Sequence, residues 1–126
     1  MTTDTLPQFA PFDSFVCVGD TRTVDVRPFT IRAVIEPDSD TKPTDFEDCY
    51  TPQQIAAWKR DDWHFVGLVF GVYVDDIKLS DHAASLWGID CNLGDNTHFT
   101  DMANELLPEA LAAAHEMRMQ LLAKIA

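Results

Sequence analysis

The run Trp63-His64-Phe65-Val66-Gly67-Leu68-Val69-Phe70-Gly71-Val72-Tyr73-Val74 decides the fold. It is almost wholly apolar, so its length alone admits either a buried helix or a buried strand. Composition arbitrates. Val, Phe and Tyr dominate it, and Gly67 and Gly71 would each cost a helix about 1 kcal/mol relative to alanine. The run therefore reads as a long central strand, 63–74, buried on both faces. Asp75-Asp76 make a turn, and 77–89 return antiparallel with Leu79, Leu86, Trp87 and Ile89 as packing residues. Asp81-His82 break the alternation, which predicts a bulge or a flared end. The two strands form the strongest hairpin in the chain.

Working towards the N-terminus, Phe29, Ile31, Ala33 and Ile35 alternate with Thr30, Arg32 and Val34, and the strand-like pattern extends back to Thr21. Pro28 and Pro37 bracket a strand over 29–36, since proline cannot donate to a ladder. Residues 1–14 form an irregular arm, with Phe9, Phe12 and Phe15 as anchors. Phe15-Val16-Cys17-Val18 is a short β-prone run closed by Gly19-Asp20. Between the strand pairs lies an acidic loop (36–50), whose 36–48 stretch reads as unusually long and structureless. Thr51-Pro52-Gln53-Gln54 then start a helix over 52–60, with a threonine cap, proline at the first position and a capping box.

Beyond the hairpin, 90–96 is a turn-rich loop. A C-terminal helix follows over 100–123, with an apolar stripe of Ala103, Leu106, Leu107, Ala110, Leu111, Ala114, Met117 and Leu121. Pro108 removes one backbone hydrogen bond, which predicts a kink or a break there. The whole is one domain, 1–126. Its class is α+β: a small antiparallel sheet of about four strands, order β-β-α-β-β-α, with a short helix and a long C-terminal helix packed on one face.

Composition narrows the function. The chain of 126 residues holds 9 Lys+Arg against 21 Asp+Glu, a net charge of -12. That charge disfavours direct binding to nucleic acid or anionic lipid and attracts basic partners. No stretch has the length and apolarity of a membrane helix, and no secretory signal is evident, so a cytoplasmic location is expected. Cys17, Cys49 and Cys91 lack zinc-type spacing and read as reduced, mostly buried thiols. His64, His82, His98 and His115 show no repeating ligand spacing, so no metal is expected. The run from Asp90 to Asp101 fails as a calcium loop, because Gly94 occupies a ligand position and the twelfth residue is Asp101, where glutamate is required. No nucleophile elbow or phosphate-cradling loop is present. Neither an enzyme nor a cofactor is expected.

The acids are regional. Residues 36–109 carry the whole net charge of -12, and the two ends together are neutral. Two groups define the expected partner-binding site. One is the loop set Asp38, Asp40, Asp45, Glu47 and Asp48. The other is Asp101, Glu105 and Glu109, spaced i, i+4, i+8 as a carboxylate row on the C-terminal helix. Neighbours in such a row stand about 6 Å apart, close to the spacing of successive phosphates on a nucleic-acid strand.

Trp58-Lys-Arg-Asp-Asp-Trp63-His64-Phe-Val-Gly67, followed by Ser85-Leu86-Trp87-Gly88-Ile89, resembles a family of small acidic proteins of bacteriophages and mobile elements. Its pattern is a WHFVG-type strand before an SLWGI-type strand and a C-terminal helix, and Thr51-Pro-Gln-Gln-Ile-Ala-Ala-Trp58 is similar as well. The resemblance covers about residues 50–125. It implies a phage-related origin and action inside a bacterial cell, and it assigns no catalytic residue. On physical grounds these residues determine packing first, with Trp58, Trp63 and Trp87 expected to meet where the short helix crosses the hairpin.

The leading expectation is a non-enzymatic interaction protein of phage type. Its acidic surface would bind and inhibit a basic, nucleic-acid-handling host protein, in the manner of an anti-CRISPR, anti-restriction or DNA-mimic protein. The alternative is an accessory or assembly module acting through oligomerisation, a homodimer included. A third reading is a small ligand-binding protein or enzyme, whose anionic ligand would need a basic pocket built from Arg22, Arg27, Arg32, Lys59 and Arg60.

Overall fold

The computed structural model describes residues 6–46 and 48–125. In chain order the elements are β1 (Thr21–Val26), β2 (Phe29–Pro37), a 3-10 turn (Pro43–Asp45), α1 (Pro52–Lys59), β3 (His64–Val74), β4 (Ile77–Cys91) and α2 (Thr97–Ile125). The strands form one antiparallel sheet in the order β1-β2-β3-β4. The α+β architecture read from the sequence is therefore present, with the long helix packed on the sheet.

Register explains which side chains go where. β2 and β3 pair without interruption, Ile31 opposite Val72, Ala33 opposite Phe70 and Ile35 opposite Leu68. Period-two alternation then sends these residues, with Phe29 and Val66, to one face, where α2 covers them. From α2 come Phe99, Ala103, Leu107, Ala110, Leu111 and Ala114, all buried. The opposite face carries Phe65, Gly67, Val69, Gly71 and Tyr73 from β3. The segment leading into β3 closes one end of it, with the rings of Phe46, Tyr50 and Trp63 centred 5.9, 5.9 and 5.1 Å from that of Phe65. Phe65 to Val72 are consequently buried without a gap, as the apolar run requires.

The N-terminal arm belongs to the core. Phe9, Phe12 and Val16 are buried, and hydrogen bonds hold the arm's backbone at each of them. Phe9 N–H donates to Asn104 Oδ1 (2.7 Å), Phe12 N–H to Thr100 Oγ1 (3.1 Å) and Val16 N–H to Asn92 Oδ1 (3.0 Å). Asn96, the one buried polar side chain among the described residues, donates to Ser14 O and to Asn92 Oδ1, each at 2.7 Å. Asn92 and Asn96 both sit at positive φ, 66° and 65°, a conformation asparagine tolerates better than most residues. The 90–96 turn is thus the socket into which the arm plugs.

Several expectations need correction. Phe15 is 67% exposed and anchors nothing, and the run at 15–18 forms no strand, because only Val16 points inward. The helix α2 starts at Thr97 and runs through Pro108 as one element, so the alternative of a break at Pro108 does not hold. Its stripe leaves the sheet after Ala114, and Leu121 is exposed. The 36–48 loop is not structureless, as Asp38 and Asp45 bind its backbone and a 3-10 turn forms at Pro43–Asp45. Of the thiols only Cys91 is buried. Finally, the ring contacts among the described residues include no pair of tryptophans. Trp63 joins the aromatic cluster and donates its indole N–H to Gln54 O at 2.8 Å, whereas Trp87 packs on Gly67.

Candidate functional site

The acidic loop is tied to the hairpin through an irregularity in β4. Val66 pairs with Ile89 and Leu68 with Leu86, so Trp87 and Gly88 together oppose Gly67. This is a β-bulge, and Gly88 adopts φ +73°, which glycine accepts without a Cβ penalty. The extra residue lets the Trp87 ring lie directly on Gly67, where an added Cβ would stand 2.1 Å from the ring. The glycine of the first motif and the tryptophan and glycine of the second are therefore one contact. A second irregularity in β4 falls between Ser80 and Ala84, at the expected Asp81-His82 position.

The bulge leaves the Gly88 N–H to the acidic loop, and Asp38 takes it. Asp38 Oδ2 accepts from Gly88 N at 2.9 Å and from Thr41 Oγ1 at 2.7 Å, while Oδ1 accepts from Asp40 N at 3.1 Å and Thr41 N at 3.2 Å. Burial opposes ionisation of this carboxyl, but the four hydrogen bonds outweigh it and hold its pKa below the usual carboxylate value. Asp45 is exposed but engaged by its own loop, accepting from Lys42 N at 2.9 Å. These two acids serve the fold. Asp40 and Asp48 are exposed, and Glu47 lies outside the described residues.

Asp101, Glu105 and Glu109 are exposed on α2, on the side away from Ala103, Leu107 and Ala110. Among the described residues the ion pairs are Arg22–Asp13, Arg60–Asp62, Lys78–Asp81 and His98–Asp90, so no base neutralises the helical row. The row and the loop set are not brought together. The loop segment packs over Phe65 on one face of the sheet, and α2 covers the other. A partner that touches the row meets a rigid helix surface and not the loop.

The five bases considered for an anionic ligand are dispersed. Arg22 stacks on Phe12 and pairs with Asp13, and Arg60 pairs with Asp62. Arg27 and Lys59 line separate surface hollows. Arg32 lies in a shallow groove of about 360 Å³ on the open sheet face, its guanidinium 4.6 Å above the Tyr73 ring. Among the described residues no group of three or more His, Cys, Asp or Glu side chains is placed to hold a metal ion, and no helix is long and apolar enough to cross a membrane.

The oligomerising alternative expects an exposed apolar patch at the sheet edge or on the C-terminal helix. Met119, Leu121, Leu122 and Ile125 are exposed at the end of α2, with exposed Ile77 on the neighbouring hairpin turn. The signal was available in the sequence, because apolar residues there exceed what one stripe needs. Comparison of the chain with protein-family models, with curated proteins and with solved structures yields no match.

Proposed function

We propose that this chain is a non-enzymatic, phage-type interaction protein acting in the cytoplasm of a bacterial host. Its acidic surface occupies and blocks a basic, nucleic-acid-binding site on a host protein. The observation that carries this reading is the row Asp101, Glu105 and Glu109, three exposed carboxylates on one helix with no cationic partner among the described residues. Asp38 and Asp45, in contrast, are consumed by their own loop. A helical row of anions needs no reordering to enter a groove shaped for phosphates, so the ordering entropy of binding is small. The net charge of -12 steers encounter with any basic groove.

The test is capture of the tagged protein's partner from host lysate, followed by competition between the protein and duplex DNA for the purified partner. Binding should weaken steeply as salt rises, and the triple variant Asp101→Lys, Glu105→Lys, Glu109→Lys should slow association by at least about tenfold. Binding that ignores both salt and the triple charge reversal refutes the reading.

A further inference from the structure

The last turns of α2 overshoot the sheet. After Ala114 no described residue of the helix is buried, and Met119, Leu121, Leu122 and Ile125 are 66, 45, 49 and 78% exposed. Beside them lies a hollow of about 440 Å³ with almost wholly apolar walls, including Phe29, Val74 and Ile77 from the sheet and Leu121 and Leu122 from the helix. Scattered apolar side chains on a surface need no explanation, but a contiguous cluster beside an apolar hollow marks a binding face.

The charges around the hollow select the occupant. Arg118 lines its helical side and Lys124 lies in the last turn, whereas Asp75 and Asp76 form the turn between Val74 and Ile77 on the other side. Residues 110–126, with Glu116, Arg118 and Lys124, carry a net charge of +1 in a chain of -12. A face with cations on one rim and carboxylates on the other is complementary to itself under a two-fold rotation. A uniformly basic or uniformly acidic partner would oppose one rim. Edge-to-edge pairing through β4 is a poor alternative, because three register irregularities and the Lys78–Asp81 pair interrupt that edge.

We propose that two copies of this chain associate isologously through the C-terminal end of α2. Leu121 and Leu122 of each copy seat in the other's hollow beside Phe29 and Ile77, and Arg118 meets the opposing Asp75-Asp76 turn. The contact is independent of the Asp101, Glu105 and Glu109 row, so a dimer presents that row twice.

Mass by light scattering and sedimentation decides the matter, measured from about micromolar to about millimolar protein, the range in which a small interface associates. The mass should rise from 14.2 kDa towards twice that value. Leu122→Glu should hold it at the monomer value, with circular dichroism reporting an intact fold. Arg118→Glu should weaken association about tenfold, and adding Asp75→Lys and Asp76→Lys to it should restore the loss. The triple reversal of the helical row should leave the mass unchanged, which separates this face from the acidic one. A wild-type chain that stays monomeric throughout overturns the proposal. So does a dimer indifferent to Leu122→Glu and Arg118→Glu.

Discussion

Substituting alanine for Gly67 adds one methyl group where a glycine of the chain meets its closest neighbour, the Trp87 ring. The new Cβ would lie 2.1, 2.3 and 2.7 Å from three carbons of the Trp87 ring, so the ring must leave. Trp87 is 45% exposed, hence a little over half its surface is covered. Losing that cover forfeits about 100 Å² of apolar contact, or about 2.5 kcal/mol. Replacing glycine in a strand interior returns about 0.5–1 kcal/mol of backbone entropy. The net loss is about 1.5–2 kcal/mol, or about 5–8 °C in Tm for a domain of this size. Trp87→Ala alone should cost about 2–3 kcal/mol, and once the ring is gone the Gly67→Ala change should be neutral or slightly stabilising. Urea unfolding of the wild type, both single variants and the double variant, followed by circular dichroism, measures the coupling. Equal costs of Gly67→Ala with and without Trp87 would refute the ring-on-glycine argument.

Two further outcomes follow from local chemistry. Because hydrogen bonds lower the pKa of Asp38 in the folded chain from its ordinary 3.8, its contribution to stability is full above that value and fades as pH falls through the folded one. Asp38→Asn should therefore lose about 1 kcal/mol at neutral pH and flatten the acid limb of the stability curve, whereas parallel curves in urea unfolding from pH 7 to pH 3 would remove the clamp at Gly88. Cys17 and Cys49 are exposed, while burial pushes the Cys91 thiol up to about 11. A thiol reagent at neutral pH should accordingly titrate two groups in the native protein and three after denaturation, and three fast native groups would contradict the burial of Cys91.

The hairpin, the Thr51 cap and the buried stripe up to Ala114 were legible because each is a short-range pattern. Thr51 accepts from Gln54 N at 3.1 Å and Gln54 Oε1 from Thr51 N at 2.8 Å, a box visible within four residues. The outward position of Asp101, Glu105 and Glu109 follows from the same helical period. What escaped depends on long-range partners. Nothing near Asp38 announces that its carboxylate will cap a bulge fifty residues away. Similarly, Gly67 and Trp87 become one contact only once the β4 register slips by a residue. The point at which α2 leaves the sheet was not legible, since helical periodicity continues whether or not a sheet lies beneath it.

The docking of the arm has a consequence for biosynthesis. Phe9, Phe12 and Val16 find their hydrogen-bond acceptors only at Asn104, Thr100 and Asn92, so the earliest-made part of the domain waits on one of the latest. Until the ribosome has released the first turns of α2, those two rings stay uncovered in the nascent chain and the sheet lacks its lid. Transiently bare rings of this kind are what makes a nascent chain prone to aggregate.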